Sequence, residues 1–220
     1  MQGTVTVDFA EARKRMVDGQ IRPNKVSDPR LLAALLTVPR ERFLPADRAA
    51  LAYADEDVPL GGGRVMAAPM TIARLVQLTA PVAGDRALVV GAGAGYGATL
   101  LSACGARVVA LEEDKALLAM ARRMVSATVT LVEGPLAAGW AEQAPYDIIL
   151  IEGAVDDVPA TLAAQLRPET GRLVTVRAGR GQASQALLAE SMQGRLHSRT
   201  MFDCALPALP SLRAAPSFVF

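Results

Sequence analysis

Between Arg86 and Glu112 the chain passes from an apolar stretch, Ala87-Leu-Val-Val90, through the loop Gly91-Ala-Gly-Ala-Gly95-Tyr96. It then reaches a second apolar stretch, Val108-Val-Ala-Leu111, that ends on Glu112. No other segment restricts the fold so tightly. An unbroken apolar run of this length is the pattern of a strand buried on both faces, which implies a parallel sheet covered by helices. Gly91, Gly93 and Gly95 let the backbone turn sharply and lie against a ligand where a Cβ would intrude. A carboxylate ending the next strand can accept hydrogen bonds from a ribose diol. It stands about 20 residues beyond the loop, as in nucleotide-type βαβ units. The unit predicts an adenosine-containing cofactor held by Gly91, Ala92, Gly93, Gly95 and Glu112.

Register narrows the choice of cofactor. A dinucleotide site favours Gly-x-Gly-x-x-Gly. Counted from Gly91 the third glycine position is Tyr96, and from Gly93 it is Ala98, off register with the strand end. Gly-x-Gly-x-Gly directly after the strand is instead the pattern of S-adenosyl-L-methionine (SAM) methyltransferases. No Lys-Ser/Thr pair follows the loop, which excludes a phosphate-cradling P-loop.

Strands are predicted near 86–90, 107–111, 129–132, 147–152 and 172–176, with helices at about 98–104, 115–126 and 160–166. This alternation is that of an α/β fold with a doubly wound, mostly parallel sheet, of the SAM-dependent methyltransferase (Rossmann-like) type. An N-terminal helical addition precedes it. Asp28-Pro29 starts a helix carrying Leu31, Leu32, Leu35 and Leu36 at helical spacing. A second helix is expected at 46–52, a turn at Gly61-Gly62-Gly63 and a helix at 71–79. Residues 1–80 thus form a helical region, and 81–220 the SAM-binding part of one compact unit. The last stretch, 195–220, holds Pro207, Pro210 and Pro216 and ends Phe218-Val219-Phe220. It predicts edge strands and an apolar tail packed on the domain.

Composition sets the partners. With 23 basic and 22 acidic residues the net charge is +1, so no global field recruits nucleic acid or an anionic membrane. No run approaches the roughly 18 apolar residues of a membrane span, and residues 1–15 lack a signal-type apolar core. Two cysteines, Cys104 and Cys204, suggest no disulfide framework and a reduced, cytoplasmic setting. A lone histidine, His197, excludes a multi-histidine metal site, and no metal is expected. The oligomeric state stays open.

Further motifs surround the loop in a characteristic order: Met16-Val17-x-x-Gln20-Ile21-Arg22-Pro23, Val38-Pro39-Arg40-Glu41-x-Phe43, Tyr53-Ala54-Asp55 and Pro59-Leu60-Gly61 before it, and Ala144-Pro145-Tyr146-Asp147, Val158-Pro159, Gln165-Leu166 and Gly171-Arg172-Leu173-Val174 after it. In these, over about residues 16–176, the chain resembles the protein-L-isoaspartate (D-aspartate) O-methyltransferases. The resemblance implies an enzyme of protein repair. With SAM as donor, it would methylate the free α-carboxylate of isoaspartyl residues in aged protein or peptide, and the ester would collapse to a succinimide. In-line displacement at a sulfonium methyl needs alignment more than acid–base help. A carboxylate, with an ordinary pKa of about 4, is already nucleophilic at neutral pH. The absence of a catalytic His or Cys is therefore no obstacle.

Three departures from the family stand out. Its substrate loop is approximately Thr-Ile-Ser-x-Pro, the serine hydroxyl touching the reacting carboxylate; here the loop is Val65-Met66-Ala67-Ala68-Pro69. Ala67 takes the catalytic serine position, with Met66, Ala68 and Pro69 as pocket residues. Losing such a donor costs about 3 kcal/mol, on the order of a hundredfold in rate, unless a neighbouring backbone N–H compensates. Where the family has Gly-Asp-Gly, the Asp accepting from the adenine amine, this chain has Gly134-Pro135-Leu136. Glu133 either reaches the amine instead or is a solvated strand-end charge. Glu152 replaces a small residue at the end of the fourth strand, on the side that faces the ligand crevice. A carboxylate there would repel an incoming carboxylate and favour a cationic or hydroxyl-bearing acceptor; Arg22, Arg40 and Arg64 are candidate counter-charges. Asp156 and Asp157 resemble a solvated helix start. The alternatives to isoaspartyl methylation are the same fold with another small acceptor, or a SAM-binding protein without catalysis. The glycine register disfavours a dehydrogenase.

Overall fold

Short acidic caps and buried apolar runs alternate along the chain, and they divide it into elements. The computed structural model describes residues 7–179 and 181–213. Its helices are α1 (Phe9–Met16), α2 (Pro29–Thr37), α3 (Pro69–Leu78), α4 (Tyr96–Ala103), α5 (Lys115–Met124) and α6 (Ala160–Ala163). Asp8, Asp28 and Asp114 accept from the first free amides of α1, α2 and α5, which leaves those helix starts satisfied. The strands are β1 (Val58–Gly61), β2 (Arg64–Met66), β3 (Arg86–Val90), β4 (Arg107–Glu112), β5 (Val129–Glu133), β6 (Ile148–Val155), β7 (Arg172–Arg177), β8 (Gln185–Met192) and β9 (Arg195–Asp203).

β1 and β2 form an antiparallel hairpin around Gly61–Gly63. The other seven strands make one sheet in the order β5-β4-β3-β6-β7-β8-β9. From β5 to β7 the pairs are parallel; β8 and β9 add on antiparallel. Successive β3 side chains point to opposite faces. Ala87 and Val89 join a core shared with Met16, Ile21, Leu35 and Phe43 of the N-terminal region. Leu88 and Val90 join a second core with Leu136, Tyr146, Leu162 and Leu209. Each such buried Leu or Val stabilises by roughly 1.5–3 kcal/mol. β3 lies between β4 and β6, so strand order reverses there, and a ligand crevice opens at the C-terminal ends of these three strands.

The parallel strands fall where the apolar runs predict them. The predicted helix at 160–166 is shorter, ending at Ala163. Its last residues leave to run beside Tyr146, which donates its N–H to Gln165 O and accepts from Arg167 N. The expected helix at 46–52 is a 3-10 helix over Ala46–Leu51. α6 begins directly after Pro159, which gives it no side-chain cap. β8 was not expected: Gln-Ala-Leu-Leu-Ala-Glu-Ser-Met has a helical composition, and tertiary pairing with β7 and β9 overrides it. β9 is the edge strand anticipated after 195. The Phe218-Val219-Phe220 tail lies outside the described residues. Among those residues no helix is long and apolar enough to cross a membrane.

Candidate active site

The loop after β3 turns because its glycines adopt backbone angles that other residues avoid. Gly95, at the N-cap position of α4, has φ +90°, and a Cβ there would lie 2.5 Å from Val125 Cγ1. Tyr96, which occupies the third-glycine position of a dinucleotide pattern, is buried edge-on to Phe43, its ring centroid 5.4 Å away.

Glu112, ending β4, is completely buried and accepts four hydrogen bonds. Gly93 N reaches Oε2 at 2.7 Å, while Glu113 N, Asp114 N and Arg64 Nη1 each reach Oε1 at 3.0 Å. Arg64 also donates through Nη2 to Gly91 O at 2.7 Å. The predicted loop residues Gly91, Ala92, Gly93 and Gly95 and the predicted acid are thus brought together, with Arg64 laid across them.

A second chain segment covers the same place. After β9 the stretch Pro207–Leu209 pairs with β6: Ala154 N donates to Pro207 O, and Leu209 N to Ala154 O. Leu209 Cδ1 and Arg64 Nη2 each lie 3.1 Å from where a Cβ on Gly91 would be. Ser211 Oγ fixes the segment by donating to Glu113 Oε1 at 2.8 Å. What remains between Arg64, Ala67, Ile72, Glu152 and Leu206–Leu209 is a cavity of about 10 Å³, room for about one water. Glycine amides and a carboxylate at strand ends suit the ribose and amino-acid ends of SAM. Arg64 and Leu209 hold that space in this conformation.

The β5 end of the crevice is less enclosed. Glu133 pairs with Glu112 in the β4–β5 register, but its side chain is 45% exposed and makes an ion pair with Lys115 at 3.6 Å. Gly134 donates its N–H to Glu112 O, and its Cβ position lies 3.6 Å from the Trp140 ring.

On the other side of the cavity, the loop Met66–Pro69 is buried. Asp57 Oδ1 accepts from Ala68 N at 2.7 Å, and burial raises the Asp57 carboxyl above its usual range. Arg40, with no exposure, donates to Ala52 O and Ala67 O and sits 4.8 Å over the Tyr96 ring. Burial lowers its guanidinium, and burial raises the Tyr96 hydroxyl while Arg40 opposes that rise. Glu152 lies within β6, three residues before its end, where the β6–β7 register shifts between Leu150 and Ala154. Of the three candidate counter-charges, Arg40 backs the Ala67 loop and Arg64 sits on Glu112. Arg22 is on the surface, paired with Asp18.

Fold, glycine loop and buried strand-end acid define a SAM-dependent methyltransferase. The family model described as protein-L-isoaspartate(D-aspartate) O-methyltransferase (PCMT) matches residues 11–205. Curated relatives agree. The chain is 41% identical over 191 residues to the protein-L-isoaspartate O-methyltransferase of Methylorubrum extorquens (strain PA1), covering 86% of this chain and 82% of the relative. It is 36% identical over 200 residues to that of Koribacter versatilis (strain Ellin345), covering 89% of each. A solved protein-L-isoaspartate O-methyltransferase superposes with a TM-score of 0.79 at 25% identity, over 91% of this chain and 67% of that one. One from Plasmodium falciparum, in complex with S-adenosyl-L-homocysteine, has the same fold, with a TM-score of 0.76 at 18% identity over 94% and 100%. The chain belongs to the protein-L-isoaspartate (D-aspartate) O-methyltransferase family, and its cofactor is SAM.

Proposed function

We propose that this protein transfers the methyl group of SAM to the free α-carboxylate of isoaspartyl residues in damaged proteins and peptides. The observation that carries the reading is one of placement. The loop Met66–Pro69, which matches the family's substrate loop, contributes Ala67 to a cavity that Arg64 also lines, and Arg64 donates to Glu112 and to Gly91 O of the glycine turn. When bound, SAM supplies an electrophilic methyl on a cationic sulfonium. The chain's own residues hold and orient the two reactants, which is the larger requirement for a displacement of this kind. The backbone of the Gly91–Gly95 turn and Glu112 fix the donor. Arg40 and Asp57 tie down the Ala67–Ala68 backbone against which the acceptor carboxylate lies. The free thiols of Cys104 and Cys204, each pushed up to about 11 by burial, suit a reduced, cytoplasmic setting. Incubation of the pure protein with methyl-labelled SAM and an isoaspartyl peptide should give a base-labile methyl ester. Label no higher than in a heat-killed control overturns the proposal.

A further inference from the structure

Glu152 is the one charged residue type introduced along an otherwise apolar strand, Ile148–Val155. The register shift between Leu150 and Ala154 re-aims side chains at this point, as strand irregularities beside sites commonly do. The fold leaves space for the carboxyl. A Cβ on Gly97, in the first turn of α4, would lie 2.1 Å from Glu152 Oε1 and 2.8 Å from its Cδ. Gly97 has no positive φ, so steric room for Glu152 is the reason that a glycine stands there. The carboxyl borders the cavity it shares with Ala67 and Ile72.

Among the described residues Oε1 is shut off from solvent and has no hydrogen-bond partner. The charged groups nearby make their hydrogen bonds to other partners. Arg64 on β2 donates to Glu112 and Gly91 O, and Arg40 to two backbone carbonyls, its Nη1 having no partner among the described residues. Glu112 on β4 adds like charge, and the Tyr96 hydroxyl on α4 is itself buried without a partner. A carboxylate with one oxygen buried and unpaired is costly to ionise, which favours its protonated form. Burial, reinforced by Glu112 and opposed by Arg64 and Arg40, pushes the Glu152 carboxyl up to about 8.

We infer that Glu152, in its protonated form, is a catalytic residue that donates a hydrogen bond to the acceptor carboxylate beside Ala67, which has no side-chain donor to offer. The inference rests on the carboxylate-acceptor reading above. The hydrogen bond holds one acceptor oxygen while the other attacks. The O–CH3 bond forms as the C–S bond breaks, the electron pair stays on sulfur, and Glu152 keeps its proton. A neutral carboxyl also removes the repulsion that an ionised Glu152 would exert on a carboxylate substrate.

The test is the pH dependence of kcat/KM for an isoaspartyl peptide in wild type, Glu152→Gln and Glu152→Ala. Release of S-adenosyl-L-homocysteine is followed so that ester hydrolysis does not register. The acceptor is ionised above about pH 5 and Glu152 loses its proton near 8. The wild-type rate should therefore fall about tenfold per unit above pH 8. Glu152→Gln, a weaker donor that cannot ionise, should be severalfold slower at pH 7 and lack the alkaline limb. Glu152→Ala should lose about a hundredfold and also lack it. An alkaline limb that persists in Glu152→Gln, or a wild-type rate and profile in Glu152→Ala, overturns the inference alone. Absence of turnover on isoaspartyl peptide at every pH removes the acceptor reading and this role with it. Stability supplies a readout independent of turnover. A carboxyl raised by folding contributes stability that is complete at low pH and lost as pH rises towards the folded value. The melting temperature of wild type should then drop relative to Glu152→Gln between about pH 5 and 8 and run parallel above. A difference that is flat across this range contradicts a protonated Glu152.

Discussion

Glu112 and Glu152 end up at the same rim of the sheet, on the two strands that flank β3, and their surroundings are opposite. Glu112 accepts from three backbone amides and a guanidinium. Glu152 presents a buried oxygen with no partner among the described residues. The same side chain is thereby an acceptor built into the turn in one place and a proton-bearing donor in the other. Environment, more than residue type, assigns the role. The cofactor half is a closed network that holds its shape. The acceptor half keeps unspent hydrogen-bonding capacity at Arg40 Nη1, the Tyr96 hydroxyl and Glu152 Oε1, a condition that native interiors rarely leave without reason.

The largest effect should come from breaking the closed half. Glu112→Ala strands four donors, one of them a buried arginine. It should cost about 3–5 kcal/mol of stability and a hundredfold or more in SAM affinity, read by unfolding and calorimetric titration. Next, Gly97→Ala drives a methyl into the Glu152 carboxyl. Displacement of about 1 Å at a reacting centre costs up to about a hundredfold, so kcat/KM for peptide should fall while SAM affinity holds. Loss of SAM affinity with unchanged peptide kinetics would put Glu152 in the cofactor half. Ala67→Ser restores a hydroxyl on the acceptor loop. With a hydrogen bond contributing about 1 kcal/mol, it should raise kcat/KM a few-fold in wild type and about tenfold in the Glu152→Ala background. Equal gains in both backgrounds would mean that the two positions do not share a task. The smallest effect belongs to Glu133→Gln. Its exposed partner Lys115 makes a pair of little consequence, so melting temperature and SAM affinity should barely move. A tenfold loss of affinity would assign Glu133 to the adenine amine.

Much of the cofactor half was legible in the chain because local rules govern it. An apolar run buried on both faces, glycines at a turn and an acid at a strand end are all neighbours in sequence. The acceptor half depends on residues far apart in the chain, which local patterns do not bring together. Glu152 was expected at the end of its strand, facing the crevice as an ionised, repulsive charge; only the space beside Gly97 and the lack of a partner make it neutral. Arg64 was one of three interchangeable counter-charges until the β1–β2 hairpin laid it over Glu112. Leu209 carried no signal, since a proline-rich segment after β9 says nothing of which glycine it will cover. β8 was hidden by a helical composition that sheet pairing overrides.

The most direct test is competition between two peptides of identical composition, one with an isoaspartyl linkage and one with the ordinary aspartyl linkage, as methyl acceptors from labelled SAM at pH 7. Base-labile ester on the isoaspartyl peptide alone is the result expected of a site that aligns a free α-carboxylate between the Ala67 loop and a protonated Glu152. SAM binding without ester on either peptide, or equal ester on both, would contradict it.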